Sequence, residues 1–140
     1  MSTEEQVKEW YEAALMDLRS ARRALEAGDF PDACFHAQQM AEKALKAFLR
    51  ANNIIPWGHN IEALLLKAGQ LGLEVDDLLS RADDVRRLSE QYMAPRYPNF
   101  RAEIGMSLSD YTEEFALGCL SLAEEILRRV ERWLSVRGLI

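Results

Sequence analysis

Residues 32–65 read DACFHAQQMAEKALKAFLRANNIIPWGHNIEALL. From Phe30 through Cys34, Ala37, Ala41, Ala44 and Phe48, small and apolar residues recur at alternating spacings of four and three. That is the period of a helix burying one face. Alanines fill the middle of the seam, so a neighbouring helix can approach closely there. Asn52, Asn53 and Pro56 end the pattern, which predicts a helix from Phe30 to Asn53. Asp29 is placed to cap it, and Pro31 falls near its first turn, where a missing N–H does no harm. Beyond Gly58, the apolar set Ile61, Leu64, Leu65 and Ala68 marks a shorter helix from Asn60 to Gln70, closed by Gly72.

The same period extends in both directions, and nowhere is there sustained alternation of period two. Upstream, Val7, Trp10, Tyr11, Ala14, Leu18, Ala21 and Leu25 predict a helix from Thr3 to Ala27, ended by Gly28. Downstream, Leu78, Leu79, Ala82, Val85 and Leu88 predict one from Val75 to Gln91. Tyr111, Phe115, Cys119, Leu122, Ile126, Val130 and Trp133 predict the last, from Ser109 to Arg137. Asp110 with Glu113 has capping-box spacing there, with Ser107 and Ser109 as alternative caps. The expected fold is all-α: one domain over residues 1–140, an up-and-down antiparallel four-helix-type bundle with three long helices and a pair of shorter ones.

Composition narrows the function classes. Hydrophobic residues make up 49% and charged residues 29%, a globular balance, and the net charge of −6 argues against a surface that is basic throughout. The two cysteines, Cys34 and Cys119, form no C-x-x-C pair and read as buried hydrophobes in a reduced cytoplasm. The acidic N-terminus has no apolar h-region and no run is long enough to span a membrane, so a soluble cytoplasmic protein is expected. His36 and His59 are too few for a histidine metal site, and neither a metal nor a cofactor is expected. Glycine-rich phosphate loops and the G-x-S-x-G elbow are absent.

The quoted segment, the opening WYEAALMDLRSARRALEAGDF at 10–30, His59-Asn60 before an apolar helix, and YMAPRYPN at 92–99 together resemble the HEPN family, in order over nearly the whole chain. The resemblance implies an up-and-down bundle that works as a homodimer. It also implies a role in binding nucleotides or RNA, or in a toxin–antitoxin pair with a minimal nucleotidyltransferase. Many such proteins are ribonucleases carrying Arg-x4–6-His near the start of the last helix. This chain departs from that pattern: no histidine follows Arg96 or Arg101, and eight residues separate Arg50 from His59. Adenylylation of Tyr97 or another tyrosine by a partner enzyme is a further implication of the resemblance.

The segment YMAPRYPNFR, Tyr92 to Arg101, holds two prolines and no acid. Pro95 and Pro98 stiffen it and keep the residues before them out of helical geometry. Arg96 offers a planar fork for phosphate, Tyr97 a ring or hydroxyl for a base, and Asn99 an amide for a base edge. The competing structural reading has Tyr97 plugging the end of the bundle and Arg96 pairing with a carboxylate. A polar row on the Phe30–Asn53 helix, His36, Gln39, Lys43, Lys46 and Arg50, faces an anion, a partner subunit or solvent, with Glu42–Lys46 as an i,i+4 pair. His59 serves either as an anion contact or as a capping histidine. The candidate ligand-binding set is therefore Arg96, Tyr97, Asn99, His59, Lys43 and Arg50, with no catalytic residue assigned. Three functions follow: a nucleotide- or RNA-binding module, a dimeric scaffold, and a metal-independent ribonuclease using Arg96 and His59.

Overall fold

The computed structural model describes residues Met1–Ile140. Three long helices carry the architecture: α1 (Thr3–Glu26), α2 (Phe30–Ala51) and, at the far end of the chain, α7 (Glu113–Val136). Between them lie α3 (Ile61–Gln70), the single turn α4 (Asp76–Leu79), α5 (Ala82–Glu90) and α6 (Pro98–Glu103), with a 3-10 turn at Leu108–Asp110.

Local chemistry sets most of these boundaries. Ser2, Asp29, Asn60 and Thr112 cap α1, α2, α3 and α7 by accepting from the third backbone N–H beyond them. At Gly28 (φ 76°) the chain turns back sharply, with Asp29 N–H donating to the Ala24 carbonyl at 2.8 Å. Asn53 (φ 63°) reverses the chain after α2, a left-handed conformation that asparagine tolerates better than most residues.

Pairings between side chains give the helix directions. Arg50 meets Thr3 and Gln6 while Lys43 meets Asp17, so α1 and α2 are antiparallel. Tyr11 meets Glu131 and Arg22 meets Glu124, so α1 and α7 are antiparallel too. Arg81 of the α4–α5 junction meets Glu125, and Asp77 of α4 meets Arg129, which runs that limb against α7. The result is up-down-up-down, with the short helices sharing one position. α2 contributes most to the core: Ala37, Ala41 and Ala44 are fully buried, and Phe48 packs edge-to-face on Trp133 at 4.7 Å. Thirty-six buried residues make one continuous cluster, so the bundle shares a single core.

Three boundaries differ from the sequence expectation. The helix expected from Val75 to Gln91 breaks at Ser80–Arg81, where Ser80 Oγ donates to the Asp77 carbonyl at 2.7 Å and Arg81 leaves helical geometry (φ −92°, ψ 53°). The last helix begins at Glu113, because Thr112 caps it. Asp110 serves the preceding turn instead, accepting from Ser107 N–H at 2.8 Å. Finally, the proline-rich segment leads into a helix of its own, α6, with Pro98 in its first turn. Cys34 and Cys119 are both buried and unbridged, as their apolar register implied. The neighbouring Cys119 thiol, together with burial, pushes the Cys34 thiol up. No helix is long and apolar enough to cross a membrane.

Candidate anion-binding site

The site begins with a costly choice in α2. Gln38, Glu42 and Lys46 occupy one side of the helix at i, i+4 and i+8, and all three are buried. Burial of ionised groups is tolerated only with full pairing, and here the pairing is complete. Glu42 Oε2 accepts from Lys46 Nζ at 2.9 Å, while Oε1 accepts from Gln38 Nε2 at 3.1 Å and contacts His59 Nδ1 at 2.8 Å. Lys46 also lies 5.5 Å from the centre of the Trp10 ring. The Glu42–Lys46 pair, for which a solvated face was one alternative, is thus buried, because α1 and the α2–α3 connection cover it.

His59 is pinned from several directions. Gln38 Nε2 donates to its backbone carbonyl at 2.9 Å, and its imidazole stacks on the Tyr92 ring with centroids 3.7 Å apart and planes 11° from parallel. The ring does not cap α3; Asn60 does, accepting from Ala63 N–H at 3.0 Å. Its side chain remains 48% exposed, and Nε2 has no protein partner.

Arg96 approaches the same tyrosine. Nε and Nη2 both donate to the Tyr92 carbonyl, at 3.0 and 2.6 Å. The guanidinium carbon lies 4.9 Å from the Phe35 and Tyr92 rings and 5.2 Å from Tyr97. No carboxylate pairs with it, contrary to the structural reading of this residue. Since His59 and Arg96 both touch the Tyr92 ring, they lie closer together than the sum of their separations from it.

Arg101, by contrast, turns inward. It is 8% exposed and donates to the carbonyls of Ala94 (2.8 Å) and Pro95 (3.4 Å), clasping the segment from beneath. Tyr111 donates to the buried Gln91 at 2.7 Å and secures the other side. Burial pushes the Tyr111 phenol up, so it stays a donor. The segment 92–101 is therefore held by its own hydrogen bonds, and the stiffness of its prolines is only part of the reason.

The structure brings together His59, Arg96 and Tyr97, with Tyr92 and Phe35 between and beside them. Tyr97 is 42% exposed and does not plug the bundle, and Asn99 is exposed on the first turn of α6 with no side-chain hydrogen bond. Lys43 is directed to α1, where Asp17 accepts from it at 2.7 Å and also pairs with His36 at 2.8 Å. Arg50 donates to Gln6 and Thr3 at 2.7 and 3.1 Å. It stands 15 positions beyond Phe35 on α2, roughly 22 Å at 1.5 Å per residue, so it is not part of the Arg96 cluster.

Sequence reasoning passed over Asp17, Gln38, Glu42, Tyr92 and Arg101 as site components. For two of them a signal existed. Asp17 interrupts the stripe Ala14–Leu18–Ala21, and Glu42 lies beside Ala41 and Leu45 with a lysine at i+4. An acid on a buried face requires a cation to match it.

The chain is 32% identical over 125 residues to the Methanocaldococcus jannaschii protein named "Putative toxin MJ1304", covering 85% of this chain and 82% of that one. Among solved structures it is similar to TT1696 from Thermus thermophilus, at 34% identity and a TM-score of 0.75, with 91% of this chain and 97% of that one covered. It is also similar to ST0689, an archaeal HEPN homologue, at 33% identity and a TM-score of 0.69, with the same coverage. The HEPN domain matches residues 7–133, and with relatives of this similarity along nearly its whole length, the chain belongs to the HEPN domain family.

Proposed function

We propose that this protein binds a nucleotide or RNA, with a phosphate held at Arg96 and with His59 and Tyr97 beside it. One observation carries the reading. In a chain of net charge −6, Arg96 is exposed, fixed by a carbonyl and ringed by three aromatic side chains, with no carboxylate to neutralise it. Its planar fork suits phosphate, and Tyr97 offers a stacking surface for a base, with Asn99 two residues on. Arg50, with only neutral partners, adds positive charge farther along α2 for a longer strand, whereas Lys43 is matched by Asp17. The toxin name of the archaeal relative supports a place in a toxin–antitoxin pair; a minimal nucleotidyltransferase as partner and a homodimer as the working form enter the proposal through the family resemblance alone.

Calorimetric titration with ATP and with a short single-stranded RNA tests this reading. Saturable binding that weakens in Arg96→Ala supports it, and no saturable signal from either ligand up to millimolar concentration defeats it. Co-expression with a minimal nucleotidyltransferase, followed by light scattering, tests both partners at once. A monomer that leaves the enzyme behind would remove the pairing.

A second reading, metal-independent RNA cleavage, is favoured by the shared contact of His59 and Arg96 with Tyr92. The chain lacks the Arg-x4–6-His pattern, so this reading ranks below binding. Labelled RNA left intact by the purified protein would remove it.

A further inference from the structure

The mounting of His59 is more elaborate than an exposed histidine needs. A buried carboxylate fixes Nδ1, an amide fixes the backbone, and a ring covers one face. Glu42 accepts hydrogen bonds only, so its contact with Nδ1 places a proton on that nitrogen. The neutral imidazole then has a lone pair at Nε2, its one uncommitted polar atom, on the solvent side. A phosphate oxygen is also an acceptor. Two acceptors cannot meet without a proton between them.

We infer that phosphate binding at this site takes up a proton at His59 Nε2, with Glu42 as the positioning residue that sets the tautomer and holds the resulting imidazolium. This rests on the reading of Arg96 as the phosphate-holding residue. The proton comes from solvent, no covalent bond changes, and the complex carries one more proton than its separated components. Four groups govern the step. From α2, Glu42 favours the imidazolium and Lys46 partly offsets Glu42 by pairing with its other oxygen. From the segment after α5, Arg96 opposes a second positive charge until phosphate neutralises it, and Tyr92 supplies a π face. Uptake is therefore tied to the ligand, whose negative charge matches both cations. Binding should strengthen as pH falls, because the complex holds one more proton than its separated parts.

The test is calorimetry of ATP, and separately of a 5′-phosphorylated short RNA, at one slightly alkaline pH in buffers of different ionisation enthalpy. The slope of observed enthalpy against buffer enthalpy counts protons taken up. The expected result is uptake approaching one proton per site for whichever ligand binds, falling to zero in His59→Asn and sharply reduced in Glu42→Gln. Because Glu42→Gln leaves Lys46 buried beside a neutral partner, Glu42→Gln with Lys46→Met provides a second variant free of that burden. Nitrogen NMR of the ligand-free protein adds a readout that a merely structural Glu42 would not move: the wild type should be protonated at Nδ1, and both Glu42 variants should show mixed tautomers. Binding without proton uptake, or uptake unchanged in the Glu42 variants, overturns the inference while leaving the Arg96 site standing. Absence of binding by either ligand overturns both.

Discussion

The Glu42 carboxylate and the Lys46 ammonium stand 2.9 Å apart on α2 with side chains only 6% and 8% exposed. A pair so placed contributes little net stability, since desolvation offsets its attraction, but losing one partner strands the other charge. Glu42→Ala should cost about 3–5 kcal/mol in urea unfolding, whereas the double variant Glu42→Met, Lys46→Met should fall close to wild type. A single variant no worse than the double would show that the pair is solvated after all.

Arg101 clasps the 92–101 segment through two carbonyls. In Arg101→Met both acceptors lose their donor, at a cost of about 1–3 kcal/mol. The same change should free the backbone around Arg96 and weaken ligand binding without touching the site. Hydrogen exchange of residues 92–101 is the direct check: protection unchanged in the variant would contradict the assigned role.

How much of this was legible in the sequence varies with the physical cause. The long helices were, because their apolar stripes and caps are local signals that no tertiary contact overrides. The break at Ser80–Arg81 was not: it turns on a serine hydroxyl bonding back to Asp77, in a stretch whose apolar period runs on unbroken. At the site, Arg96 and Tyr97 could be singled out from composition. Their neighbours Tyr92 and Phe35 could not, since stacking on His59 and Arg96 depends on how the segment folds back over α2. Arg50 and Lys43 shared a sequence row with one another but not a destination, because α1 supplies Asp17 to Lys43 and only neutral partners to Arg50.

Two groups set pH limits from opposite sides. A hydrogen bond from Arg129 holds the Asp77 carboxyl down at about 2. Its folded value is thus below the unfolded one of about 3.9, so its contribution is present above about pH 4 and is lost as pH falls toward 2. In Asp77→Asn the acid limb of a stability–pH curve should be flatter between these values, and an unchanged limb would contradict the pairing.

Tyr11 acts at the other extreme. Burial and the hydrogen bond it donates to Glu131 push its phenol up to about 12. The folded value exceeds the unfolded one of about 10, so its contribution is full below pH 10 and disappears as pH rises through 12. Tyr11→Phe should remove that alkaline dependence. Ultraviolet titration reads it directly, because the phenolate band of Tyr11 should be missing near pH 11 in the folded wild type.

The phosphate contact proposed for Arg96 is tested most directly by the affinity for ATP and for short RNA of the wild type and of Arg96→Ala, at matched salt. Loss of a charge-assisted contact of about 1.5–3 kcal/mol corresponds to weakening of about 10- to 150-fold. The wild type should bind saturably, and the variant should show a loss of that size with an unchanged urea midpoint. Equal affinities in the two proteins, or no binding by either, would contradict it.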